Sequence, residues 1–143
     1  MNKKADLHVH TIYSDGILTP AEVMKMAVDH NLSAISITDH DTIDGCLEAH
    51  KLTDRYPVEI INGIEFSSYE NTQEYHILGY NVDPDFKPLK KHLSDFRIAR
   101  LERAEKICKK LNRLGLVFSF SEVLQRAGDA PITRPHIAAT LVD

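Results

Sequence analysis

Six residues have the types and spacing to do chemistry: His8, His10, Asp15, His40, Glu65 and His76. The pair His8 and His10, two residues apart, sets two imidazoles side by side if the segment is extended, a spacing that can chelate one divalent ion. Asp15 adds an oxygen ligand from the turn that follows. His40 stands between Asp39 and Asp41, and either aspartate can orient a ligand imidazole from behind. Glu65 has two oxygens and can bridge two ions, and His76 completes the set. Such a mixture of imidazole and carboxylate suits manganese first, with iron or zinc as alternatives, better than calcium or magnesium. Clustered divalent ions serve phosphate-ester hydrolysis. They offset the ester's negative charge, lower the pKa of a water and, when roughly 3.5–4 Å apart, clamp the attacking and leaving oxygens.

Positioning these groups requires a particular set of elements. Residues 5–9 alternate as a short strand, and the Ser14-Asp15-Gly16 turn follows. Thr19-Pro20-Ala21-Glu22 combines an N-cap, a first-turn proline and the glutamate of a capping box, so a helix starts here. Met24, Ala27 and Val28 supply its buried stripe, and Asn31 its left-handed stop. Residues 34–38 form a second, central strand running into Asp39-His40-Asp41. A second helix is predicted over 43–55, with Leu47 and Leu52 inward and Pro57 ending it. A third strand is predicted over 58–66, and a further one over 74–80. Alternation of strand and helix with short connections predicts a parallel α/β arrangement, whose ligands gather beyond the carboxyl ends of the strands. His8, His10, Asp15, His40 and Glu65 fall at or just past those ends, and His76 lies inside its strand, where it can point into the same mouth.

The pattern changes after Asp83-Pro84-Asp85. Leu89, Leu93, Phe96, Ala104, Ile107, Leu111 and Leu114 keep helical spacing until Gly115. Ser119 or Ser121 can cap a short helix through Arg126, and Thr133 a last one with Pro135 in its first turn. The expected organisation is an α/β part over residues 1–85 and a helical segment over 86–143.

The composition narrows the class. Of 143 residues, 43% are hydrophobic and 27% charged, with a net charge of −4, which suits a globular domain or part of one and argues against a generic nucleic-acid coat. No apolar run approaches a membrane span, and no secretory h-region follows the charged start, so the expected location is cytoplasmic. Cys46 and Cys108 form no CxxC pair and read as packing residues in a reducing compartment.

Asp6-Leu7-His8-Val9-His10-Thr11 with Ser14-Asp15-Gly16 resembles the first motif of the polymerase-and-histidinol-phosphatase (PHP) family. Thr38-Asp39-His40-Asp41 resembles the second, Gly63-Ile64-Glu65 the third, and His76-Ile77-Leu78-Gly79-Tyr80 the segment supplying a further histidine. The helical part with Thr133-Arg134-Pro135-His136 resembles the insert of the branch that holds nucleotide phosphatases and a 5′-to-3′ exoribonuclease. The resemblance implies the N-terminal part of a distorted (β/α)7 barrel with an attached helical insert, and up to three metal ions in its mouth. It implies His8, His10 and Glu65 around one ion, Glu65 and His76 at a second, and Asp15 and His40 at a third. It places His8, His10 and Glu65 in catalysis, and gives Arg134 and His136 to the phosphate of a nucleotide or short RNA substrate.

The family pattern has a further histidine and an Asp-x-His-type pair beyond the last motif found here. The chain is therefore expected to be a piece of a longer protein, or a truncated product. A second copy or a C-terminal half would complete the site. Histidinol-phosphate hydrolysis, a polymerase-linked proofreading module and a non-catalytic metal-binding module are the competing readings. His30, His50 and His92 read as surface residues, Asp39 and Asp41 as turn or supporting groups, and Arg97, Arg100 and Arg103 as a solvated helix face.

Overall fold

A computed structural model describes residues 3–71 and 73–142. Strand β1 (Ala5–Val9) pairs in parallel with β2 (Ala34–Ile37), which pairs in parallel with β3 (Glu59–Ile60), in the order β1-β2-β3. Helix α1 (Pro20–Asp29) connects the first two and α2 (Asp44–His50) the next. The capping box at Thr19 and Glu22 is formed in full, and Asn31 takes the left-handed conformation that ends α1 (φ 56°).

These elements share one apolar core. Met24, Ile35, Ile37, Cys46 and Ala49 are nearly or wholly removed from solvent at its centre, with Val23, Ala27, Val58 and Ile60 around them. All four residues of β2 are buried, as a central strand requires. The α1 stripe differs by one residue from its prediction: Val23 is inside and Val28 is 36% exposed. Helix α2 is shorter than the predicted 43–55. It packs through Gly45, Cys46 and Ala49, while Leu47 and Leu52 are only half-buried.

The predicted strand over 58–66 is two strands. The chain leaves the parallel sheet after Ile60 and re-enters extended structure as β4 (Gly63–Glu70), which forms an antiparallel hairpin with β5 (Gln73–Tyr80). The break falls at Asn62, whose side-chain amide reaches Val82 O (3.1 Å) and whose carbonyl meets His50 Nε2 (2.6 Å). The fold is thus mixed α/β rather than purely parallel in this region. The hairpin docks on the end of β2: Glu65 N–H donates to Asp39 O (3.2 Å) and Asp41 N–H to Glu65 O (3.0 Å). Gly63 permits the approach, because a Cβ there would stand 2.0 Å from Ser36 Oγ.

Helix α3 (Lys87–Arg113) is followed by α4 (Phe120–Ala127), capped by Ser119 and Glu122, and by α5 (Arg134–Val142). Ala104, Cys108, Val123, Ala127, Ile132 and Ile137 form a second apolar core with no member in the first. No helix among the described residues is long and apolar enough to cross a membrane.

Candidate metal and phosphate site

The six candidate ligands are brought together from five places in the chain. His8 lies in β1 and His10 just past it. Asp15 lies in the loop before α1, His40 past the end of β2, Glu65 in β4 and His76 in β5. Glu65 is their centre. Its Oε2 lies 2.9 Å from His8 Nε2 and 2.8 Å from His10 Nε2, and those two nitrogens are 3.1 Å apart. Its Oε1 faces the other way, 3.0 Å from His76 Nδ1. The His40 ring stands between, with its centroid 4.7 Å from those of both His10 and His76. Asp15 closes the far side, with Oδ1 2.8 Å from His10 Nδ1 and Oδ2 3.5 Å from His40 Nε2.

Three overlapping sets of donor atoms result: His8, His10 and Glu65; His10, Asp15 and His40; His40, Glu65 and His76. Within each set the donors lie within 4.8 Å of one another. The first coincides with the set the motif resemblance implied. The other two each draw in one histidine more. His40 Nδ1 is buried without a hydrogen-bond partner. A buried polar atom of this kind ordinarily costs stability; here it faces the Glu65 carboxylate across 3.8 Å, a gap that a cation would fill, while Nε2 of the same ring faces Asp15. The chemistry of the donors and this orphaned nitrogen fit a divalent metal.

Electrostatics favour a cation as well. The hydrogen bond from His10, then that from His40, holds the Asp15 carboxyl far below the usual carboxylate range. The same Asp15 bond raises His10 despite partial burial. Burial pushes Glu65 upward, but the His8 hydrogen bond and the neighbouring imidazoles outweigh it and leave the group more acidic than usual. Both carboxylates are therefore ionised at neutral pH.

Asp39 and Asp41 have separate tasks. Asp39 is 1% exposed and accepts from Thr11 N (2.7 Å), Thr11 Oγ1 (2.6 Å) and Ser14 Oγ (2.6 Å). It pins the loop that carries Asp15 rather than orienting an imidazole. That loop closes tightly: a Cβ at Gly16 would meet His10 backbone atoms at 2.5 Å. Asp41 sits at φ 53°, accepts from Ser67 N (2.8 Å) and is paired with Arg100 (2.6 Å).

That pairing corrects the reading of the arginine series. Arg97 is exposed and reaches Asp129 O. Arg100 and Arg103 instead turn inward from α3. Arg100 binds Asp41 and Ser67 Oγ (2.6 Å), while Arg103 reaches Glu74 and the Tyr69 hydroxyl. Arg134, at the start of α5, reaches Glu74 too. Together with Asp15, His40 and His76, these three arginines line a cavity of about 90 Å³ between the histidine cluster and the helices. One wall carries metal-type donors and the other guanidinium groups. The sequence singled out Arg134; helical spacing gave no sign of Arg100 and Arg103, since their carboxylate partners lie 59 and 29 residues away.

His136 does not line that cavity, but its ring bonds the backbone of Ser14 and lies within the field of the Asp15 carboxylate. Its Nδ1 accepts from Thr133 N (3.1 Å), so it closes the first turn of α5. Burial lowers its pKa. His30, His50 and His92 are exposed, and Cys46 and Cys108 are buried free thiols.

Comparison with known proteins agrees with this geometry. The PHP domain model matches residues 6–125. A 3′,5′-nucleoside bisphosphate phosphatase of Chromobacterium violaceum is 36% identical over 140 residues, covering 96% of this chain and 49% of that protein. A 5′-3′ exoribonuclease of Haemophilus influenzae is 34% identical over 142 residues, covering 99% of this chain and 52% of its own length. Among solved structures, a protein of Bifidobacterium adolescentis assigned as a metal-dependent phosphoesterase superposes with a TM-score of 0.90 at 29% identity, over 98% of this chain and 50% of that one. An amidohydrolase of Chromobacterium violaceum with bound sulfate and no metal superposes with a TM-score of 0.88 at 36% identity, over 98% of this chain and 50% of that one. The chain spans about half the length of the relatives it matches.

Proposed function

This chain belongs to the PHP family, and on that premise we propose that it carries the N-terminal part of a site hydrolysing phosphate esters of nucleotides or short RNA. The observation that carries the reading is the two-walled cavity: convergent imidazole and carboxylate donors face Arg100, Arg103 and Arg134. A phosphate ester needs both, cations to neutralise its oxygens and a place to generate a nucleophile. The names of the relatives favour a nucleotide or RNA as the ester, and the sulfate in one metal-free relative favours a tetrahedral anion as the group bound.

Divalent ions, manganese before iron or zinc, would supply charge neutralisation and an activated water when held by His8, His10, Asp15, His40, Glu65 and His76. The chain's own residues do the rest. Glu65 offers one oxygen to the His8–His10 side and the other to His76, so it fixes the spacing of two neighbouring donor sets. Asp39 holds the loop of Asp15 in register. The guanidinium groups bind and orient the phosphate, and Arg134 belongs to this set. His136 serves by fixing the helix start from which Arg134 projects. Donors outside these 143 residues, from a C-terminal half of a barrel or a second copy, complete each three-donor set.

The test is turnover of a 3′,5′-nucleoside bisphosphate with manganese, by the 143-residue chain and by a full-length version, with histidinol phosphate as the competing substrate. His8→Ala/His10→Ala and Glu65→Gln reduce turnover to the metal-free background. Intact turnover in these variants refutes the reading. Preference for histidinol phosphate moves the substrate class.

A further inference from the structure

Glu74 has no place in the ligand set, yet it occupies the centre of the guanidinium wall. It lies on β5 two residues before His76, and its carboxylate gathers donors from three elements. Arg103 of α3 presents Nη1 to Oε1 and Nη2 to Oε2, both at 3.3 Å. Arg134 of α5 donates to Oε2, and the Tyr69 hydroxyl of β4 donates to Oε1 (2.7 Å). His76 Nε2 stands 3.6 Å from Oε1 on the other side, and Nδ1 of that same ring meets Glu65. The carboxylate is thus one imidazole away from the metal-type cluster, inside the cavity.

We propose that Glu74 is an internal competitor for phosphate, which holds Arg103 and Arg134 until a ligand phosphate takes them over, and so sets the affinity of the site for anions. The inference rests on the phosphoesterase reading above and names a residue that tunes it. The guanidinium fork accepts carboxylate and phosphate in the same two-point geometry, so the two anions exchange at one place. The Arg103 fork is in register with Glu74, but its 3.3 Å contacts are longer than the 2.7–2.9 Å of a strong charge-assisted pair, so this half of the grip is slack while the Arg134 contact is close. Two guanidiniums against one carboxylate leave a positive balance at this wall, opposite the Asp15 carboxylate that lines the same cavity. A phosphate dianion satisfies that balance better than Glu74 does. Release of Glu74 is offset in part, since Tyr69 and solvent remain as partners for it.

A residue that merely scaffolds the arginines predicts the opposite response to its removal, which makes the idea testable by sign. Inorganic phosphate and a 3′,5′-nucleoside bisphosphate are titrated calorimetrically into the metal-free chain in the presence of a chelator. Glu74→Gln, which keeps an acceptor but removes the charge, tightens phosphate binding about five- to tenfold, and Glu74→Asp stays near wild type. Tyr69→Phe, which loosens the carboxylate without removing it, tightens binding by about twofold and serves if Glu74→Gln fails to fold. Unchanged or weaker binding in folded Glu74→Gln overturns the proposal. So does wild-type protein that binds neither anion; in that case the phosphoesterase reading is judged separately by the manganese turnover assay, where its failure is loss of hydrolysis rather than of phosphate affinity.

Discussion

The two halves of this site are held in place by different forces. The histidine wall stands on a parallel sheet, whose central strand is wholly buried, and on the antiparallel hairpin docked at that strand's end; apolar packing of Met24, Ile35 and Ile37 fixes the sheet. The arginine wall belongs to helices with their own core around Cys108 and Val123. Ion pairing joins the two: a buried pair of Arg100 with Asp41, and partly exposed pairs of Arg103 and Arg134 with Glu74. Apolar packing is indifferent to salt and to phosphate, whereas guanidinium pairs respond to both. A rigid donor cluster therefore faces an adjustable anion grip, a division suited to holding metals constantly and substrates transiently.

The sharpest way to break this comparison is at the joint. Asp41 is almost fully buried, and Arg100 is its charge partner. Arg100→Ala leaves that carboxylate uncompensated and is expected to lower stability by about 3–5 kcal/mol in urea titrations. A cost under about 1 kcal/mol would mean that the walls are joined by something else. The next test separates the cores. Val123→Ala removes two methyl groups at a fully buried position and is expected to cost about 2–3 kcal/mol. Hydrogen exchange should rise in α3–α5 before it rises in β2; a uniform rise would merge the two regions into one cooperative unit.

A smaller effect comes from the half-exposed pairs of Glu74. Three groups hold this carboxylate: burial pushes its pKa up, but Arg103, Tyr69 and Arg134 outweigh that and bring it to about 2. It is charged throughout the neutral range, so these pairs answer to ionic strength rather than pH. Each is expected to contribute under about 1 kcal/mol and to weaken between 0.05 and 0.5 M salt, roughly. Protection of the α5 amides should fall over that range while β2 amides hold. Salt-independent protection of α5 would count against an ion-paired grip.

What the sequence made legible follows the same division. The six donors were readable because their types are rare and a strand's period of two, or a strand's end, puts them on one face. The start of α1 was readable from Thr19 with Glu22, since a capping box is a local device, whereas at α4 Ser119 and Ser121 stood as alternatives and the structure forms the box at Ser119 with Glu122. The break between β3 and β4 had one local sign, Asn62-Gly63 inside the apolar run from Val58 to Phe66, but an Asn-Gly pair does not by itself say whether a strand bends or ends. What interrupts it is Asn62 bonding to His50 and Val82, which are distant in sequence. The antiparallel hairpin was hidden for the same reason. Arg100 and Arg103 were missed because an arginine on a helix reads the same whether it meets water or a carboxylate tens of residues away. Glu74 passed as one more strand residue.

His136 offers the finest test, because its effect has a defined sign. Thr133 N–H donates to its Nδ1, so the ring works as a neutral acceptor at the start of α5. Burial lowers its folded pKa below the unfolded value of 6.5, so its contribution is complete above that value and is lost as pH falls through the folded pKa. His10 runs the other way: its raised pKa adds stability as pH falls toward 6.5, where its contribution becomes complete. Total stability therefore mixes two opposed slopes, and the informative quantity is a difference. His136→Asn keeps an acceptor for Thr133 but cannot titrate. Relative to this variant, the wild-type chain should lose stability between pH 7 and 5, by less than either core or joint substitution. Because the cap it serves carries Arg134, anion binding should weaken over the same interval in wild type more than in the variant. Parallel profiles would detach His136 from the grip and leave Arg134 positioned by Glu74 alone.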